Sequence, residues 1–149
     1  MSDSHRRMKR IEPLVRVKEA QVNQEAVMLA HIRQEKADVV AALKESQRVY
    51  MDGVERLNRE RVSVARDMLL TLEMSLDHVK QRWHDQFRQV QELERREEAQ
   101  LAQLVLAQQS LKSFERLQDK YRKDFQTEMS KSEQKNLDEV ALRRFIQQK

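Results

Sequence analysis

Apolar residues recur every seven positions through most of this chain. One register runs through Val15, Val22, Leu29, Leu43, Tyr50 and Leu57, interrupted only at Lys36; a second runs through Val62, Leu69, Leu76, Trp83, Val90, Leu104, Leu111 and Phe125. Apolar residues three places on accompany both registers: Ile11, Ile32 and Val39 for the first, and Leu72, Val79, Leu93, Ala107, Phe114 and Tyr121 for the second. These are paired a and d positions. A stripe so long and narrow cannot be buried by the helix that bears it and must meet another helix. The expected fold is therefore all-α, a long antiparallel two-helix coiled-coil hairpin with a projecting C-terminal helical extension. The alternative is one continuous helix paired with a second copy, as in a cytosolic homodimeric scaffold or adaptor.

Composition supports helices over a thick core. Of 149 residues, 39% are hydrophobic and 36% charged, with a single Gly and a single Pro, the balance of long helices. A disordered chain of similar polarity would not keep a seven-residue apolar repeat. With no cysteine, neither a disulfide nor a thiolate metal site is possible, and a cytoplasmic setting fits. The basic stretch Met1 to Arg10 leads into Pro13, Arg16, Lys18 and Glu19 and does not read as a secretory signal. No run reaches the roughly 18 apolar residues of a membrane span.

The net charge of +4 permits an acidic partner. Beyond the basic start, acids and bases alternate at helical spacing, acid first, as in Glu12 with Arg16, Glu55 with Arg59 and Glu92 with Arg96. This is a solvated helix surface, each pair adding about 0.2–0.5 kcal/mol. It lacks the one-signed stripe expected of a nucleic-acid binder.

Residues 1–10 read as a basic flexible tail, and residues 11–149 as one coiled-coil domain: arm one about 11–57, a turn about 58–65, arm two about 66–149. Pro13, lacking an N–H, suits the first turn of a helix and marks its start. The turn has no Gly–Pro signal, but the register slips there, since Leu57 and Val62 are five residues apart. Such a hairpin sets Ile11 opposite residues 108–112, so arm two projects after about Phe114 unless the tail covers it. Within the projection, Ser130 and Glu133 have capping-box spacing, compatible with a separate final helix or with continuation of the long one. Leu137, Val140, Ala141, Phe145 and Ile146 give it an apolar face suited to docking.

Catalysis finds no footing. A single Gly excludes the glycine-rich loops that cradle phosphates, so no nucleotide or other cofactor is implied. His31 with Glu35, and His78, His84 and Asp85 near Trp83, read as polar surface residues. Carboxylate pairs such as Glu97 and Glu98 lack the burial that would raise a pKa. Trp83 fills a seam position, whereas Phe87, one turn on and outside both registers, suits an exposed anchor for a partner. Met68 and Met74 could adapt to several partners or simply fill the helix. Lys18, Glu25, Lys36, Gln86, Glu97, Gln100 and Gln118 put polar groups in the seam, at a cost in stability and with a gain in register. On that reading Glu97→Leu raises the melting temperature.

The C-terminal run Glu133-Gln134-Lys135-Asn136-Leu137-Asp138-Glu139-Val140-Ala141, followed by Arg143 and Arg144, resembles the end of the flagellar export component FliJ and its virulence-system counterparts of the YscO/HrpO type. Length, lack of cysteine, basic start and two-arm heptads agree, and the mixed polar surface and N-terminal sequence incline towards the virulence branch. The resemblance implies a non-enzymatic stalk at the cytoplasmic face of a type III secretion apparatus, peripheral to the membrane through its partners. Those partners would be a hexameric secretion ATPase, an export-gate protein and secretion chaperones. The residues expected to meet them are Arg6, Arg7, Lys9, Arg10, Phe87, Leu137, Asp138, Glu139, Val140 and Phe145.

Overall fold

The computed structural model describes residues 2–62 and 65–148. It contains two α-helices, α1 (Asp3–Glu60) and α2 (Arg66–Gln147), and no strand among the described residues. The start of α1 is held by Ser2, whose Oγ accepts from the His5 N–H at 3.3 Å and whose carbonyl accepts from Arg6 N–H at 3.2 Å. Asp3 places an acid in the first turn, where the exposed N–H groups favour negative charge. At the other end Arg61 N–H still bonds the Leu57 carbonyl at 3.0 Å, and α2 opens with Met68 and Leu69 N–H on the Ala65 carbonyl. Residues 61 and 62 form a turn, so the chain is not one continuous helix. Ser63 and Val64, which the expected turn includes, lie outside the described residues.

The N-terminus differs from expectation. Residues 3–10 are helical, not a tail, and arm one begins at Asp3 and not near Ile11. Pro13 therefore lies inside α1, ten residues past its start, and does not mark that start. Its missing N–H removes one bond to the turn before, a cost of about 3 kcal/mol in an isolated helix. Packing of the flanking turns against α2 offsets it: Ile11 and Val15 on either side are 4% and 5% exposed.

The chain divides into two compact units, residues Ala26–Gln103 and residues Met1–Glu25 with Leu104–Lys149. The first is a hairpin closed by the turn. Tyr50 meets Trp83 with ring centroids 5.8 Å apart, and Lys36 Nζ lies 3.4 Å from Glu97 Oε2. Falling numbers on α1 thus meet rising numbers on α2, the mark of an antiparallel pair. Leu29, Leu57, Val90 and Leu93 are its buried apolar residues, each worth about 1.5–3 kcal/mol on burial. Gly53 sits where an added Cβ would overlap Leu76 Cδ2, so the glycine here makes room for a seam leucine.

The second unit is also antiparallel. Lys18 lies over the Phe114 ring, 5.4 Å from its centroid, and His5 packs on Phe125 at 5.1 Å. Ile11 therefore faces the part of α2 between Phe114 and Phe125, further along than the expected 108–112. Helical residues 3–10 supply the extra cover, and the overhang begins after Phe125. From residue 126 to 148 every α2 side chain is exposed. The helix passes Ser130 without a break.

Candidate interaction surfaces

The seam is set by side chains spaced alternately three and four apart. On α1, Val15, Leu29 and Leu57 are buried and Val22, Leu43 and Tyr50 half-buried; on α2, Val90 is buried and Leu69, Leu76, Trp83, Leu104 and Leu111 half-buried. Ser46 and Gln100 are buried polar members of the same spacing. Gln86 Oε1 is buried there without a hydrogen-bond partner among the described residues. Towards the open end of the hairpin unit the seam is ionic. Glu97 faces Lys36, with Arg33 Nε 3.8 Å from its other oxygen, while Lys36 also reaches Glu94 at 3.7 Å and Arg96 reaches Glu35 at 3.8 Å. Charges a quarter exposed are stabilised only by such pairing, which fixes how the helices align.

Outside the seam the expected contact residues lie in three places. Arg6, Arg7, Lys9 and Arg10 are exposed on the first turns of α1, and none forms an ion pair with another described residue. Phe87 is 50% exposed on α2, whereas Trp83 is held by Tyr50 and stacks on His84. On the overhang Leu137, Val140 and Phe145 are 64%, 46% and 58% exposed. Asp138 there accepts a bond from Gln134 at 3.2 Å, and Glu139 is exposed. The expected contact residues thus fall into separate places: the basic residues and the overhang in one unit, Phe87 in the other. Met68 and Met74, expected either to adapt to partners or to fill the helix, are exposed beside the turn together with Val62 and Leu70, which the spacing did not mark as surface.

The concavities are shallow. One of them, about 590 Å³, is an open groove lined by Met28, His31, Ile32, Gln34, Glu35, Asp38 and Arg96. No group of three or more metal-ligating side chains occurs among the described residues, and His31 with Glu35 lies in this open groove. The clearest electrostatic perturbation is on the exposed surface: Glu45 is held below the usual carboxylate range by its hydrogen bond and charge pairing with Arg48, 2.5 Å away. This geometry presents helix faces.

A scan against protein-family models matched FliJ, described as "Flagellar FliJ protein", over residues 8–149. The chain belongs to the FliJ family. The comparisons with curated proteins and with solved structures gave no match. Family membership makes this an export-related coiled-coil protein, and the match spans both helices, including the overhang after Phe125. No helix among the described residues is long and apolar enough to cross a membrane.

Proposed function

We propose that this FliJ-family chain is the non-enzymatic stalk of a bacterial type III export apparatus, acting at its cytoplasmic face. It would engage the hexameric export ATPase and hand on contacts to the export gate or to secretion chaperones. The observation that carries this reading is the family match across residues 8–149 on a chain folded as an antiparallel two-helix coil. Paired helices of this kind offer a partner ring exposed helix faces. The basic residues Arg6, Arg7, Lys9 and Arg10 and the overhang with Leu137, Asp138, Glu139, Val140 and Phe145 are the contacts assigned to the ring, and Phe87 is the contact assigned to a second partner. An asymmetric stalk acts by favouring different conformations in successive ring subunits, which requires differential contact with those states. Assignment to the virulence branch belongs to the same proposal.

The test is turnover of the cognate export ATPase with full-length chain and with chain ended after Ser130. Stimulation by the full chain and its loss on truncation support the reading. Stimulation unchanged by truncation removes the overhang from it, and absence of binding by the full chain removes the stalk role altogether.

A further inference from the structure

The overhang of α2 carries a face that reads nearly the same from either end. Glu133, Leu137, Val140, Ala141 and Arg144 share one side of the helix, with Asn136 at its edge, because residues three and four apart are neighbours. Two grooves lie along it, one of about 390 Å³ lined by Glu133, Asn136, Leu137 and Val140, the other of about 490 Å³ including Leu137, Val140, Ala141 and Arg144. Reversing the helix end for end exchanges Glu133 with Arg144, Asn136 with Ala141, and Leu137 with Val140. The four residues lining the first groove map onto four of those lining the second, which Phe145 and Gln148 complete. An acid meets a base at each end, and aliphatic side chains meet at the centre. Neither Glu133 nor Arg144 forms an ion pair with another described residue.

We infer that a second copy of this chain occupies the face, its own overhang packed antiparallel about a two-fold axis. The axis passes between Leu137 and Val140, so that each leucine packs on the partner's valine and two Glu133–Arg144 ion pairs close the ends. A two-fold interface must be self-complementary in this way. The charges also choose the direction: a parallel pair would set Glu133 against Glu133 and Arg144 against Arg144, which repel. With so few apolar residues, the contact belongs to the weak and reversible class of interfaces. Leu137 and Val140 are also assigned above to the ATPase ring, so self-pairing covers that surface in the free chain and ring binding displaces the second copy. The self-pairing does not depend on the export reading.

Sedimentation velocity of the full-length chain over a concentration series tests the pairing, with circular dichroism confirming helicity. The wild type should pass from monomer to dimer, and chain ended after Ser130 should stay monomeric. Glu133→Arg and Arg144→Glu alone should each weaken association about tenfold or more, since each sets like charges face to face. The E133R/R144E chain, which restores opposite charges with the signs exchanged, should dimerise like the wild type. A monomer at every concentration overturns the inference, as does a dimer indifferent to the single reversals or one that the double reversal fails to restore. ATPase stimulation, measured separately, decides the stalk reading whichever way sedimentation falls.

Discussion

Replacing the Lys36–Glu97 ion pair across the hairpin unit should strengthen the protein only if both partners change together. Lys36 Nζ and Glu97 Oε2 stand 3.4 Å apart with side chains 28% and 24% exposed. At an effective dielectric near 20 their gross attraction is about 5 kcal/mol, most of it offset by the desolvation of two charges. Glu97→Leu alone removes the acid that Lys36 and Arg33 both face, leaving Lys36 with Glu94 at 3.7 Å. The single change should therefore lower stability by about 0.5–1 kcal/mol, not raise it as expected when Glu97 is read only as a polar interruption. Lys36→Leu should cost a similar amount. The double K36L/E97L, which fills both positions with apolar groups and leaves Arg33, Glu94, Glu35 and Arg96 in water, should gain about 1–2 kcal/mol. The coupling between the sites is then close to 3 kcal/mol, the upper end for neighbours. Thermal melts followed at 222 nm on all four chains measure it, at roughly 2–4 °C per kcal/mol. Stabilisation by E97L alone, or additive single effects, would refute the pairing as the reason for these residues.

Leu93, at 2% exposed the most buried side chain, should cost about 2–4 kcal/mol on substitution by Ala, read by urea unfolding. Gly53→Ala should destabilise the wild type because the new methyl meets Leu76 Cδ2; in an L76A background the same change should stabilise by about 1 kcal/mol, as helix propensity dictates. Ending the chain after Ser130 should leave the melting temperature of the remainder nearly unchanged, because residues 126–148 are exposed throughout. Arg48→Gln should return the Glu45 titration, followed by NMR, upward to the ordinary carboxylate value. Because the folded-state pKa is lowered, the stability this pairing adds is present above the unfolded-state pKa and is lost as pH falls through the folded one.

The periodicity was enough to place two helices and the break between them, since Leu57 and Val62 fall out of register and α1 ends at Glu60. The start was misplaced because five basic residues between His5 and Arg10 hide the spacing of His5, Met8 and Ile11, and because Pro13 imitates a helix start that neighbouring packing makes unnecessary. The overhang begins after Phe125 and not after Phe114 for two reasons: Ile11 pairs further along α2 than residues 108–112, and residues 3–10 extend α1. Polar seam positions were visible, but their partners were not: nothing in the spacing of Glu97 names Lys36 across the hairpin. Contact surfaces are the least legible part, since heptad spacing alone does not tell an exposed apolar residue such as Leu137 from a seam residue.

The stalk reading stands or falls on stoichiometry. Native mass spectrometry of the full-length chain mixed with its cognate export ATPase, under nucleotide conditions that assemble the ring, counts the chains bound. A single asymmetric stalk predicts one chain per ATPase ring, in a complex that persists when free chain is in excess. One chain on every ATPase subunit, or a ring that assembles with none, would contradict it.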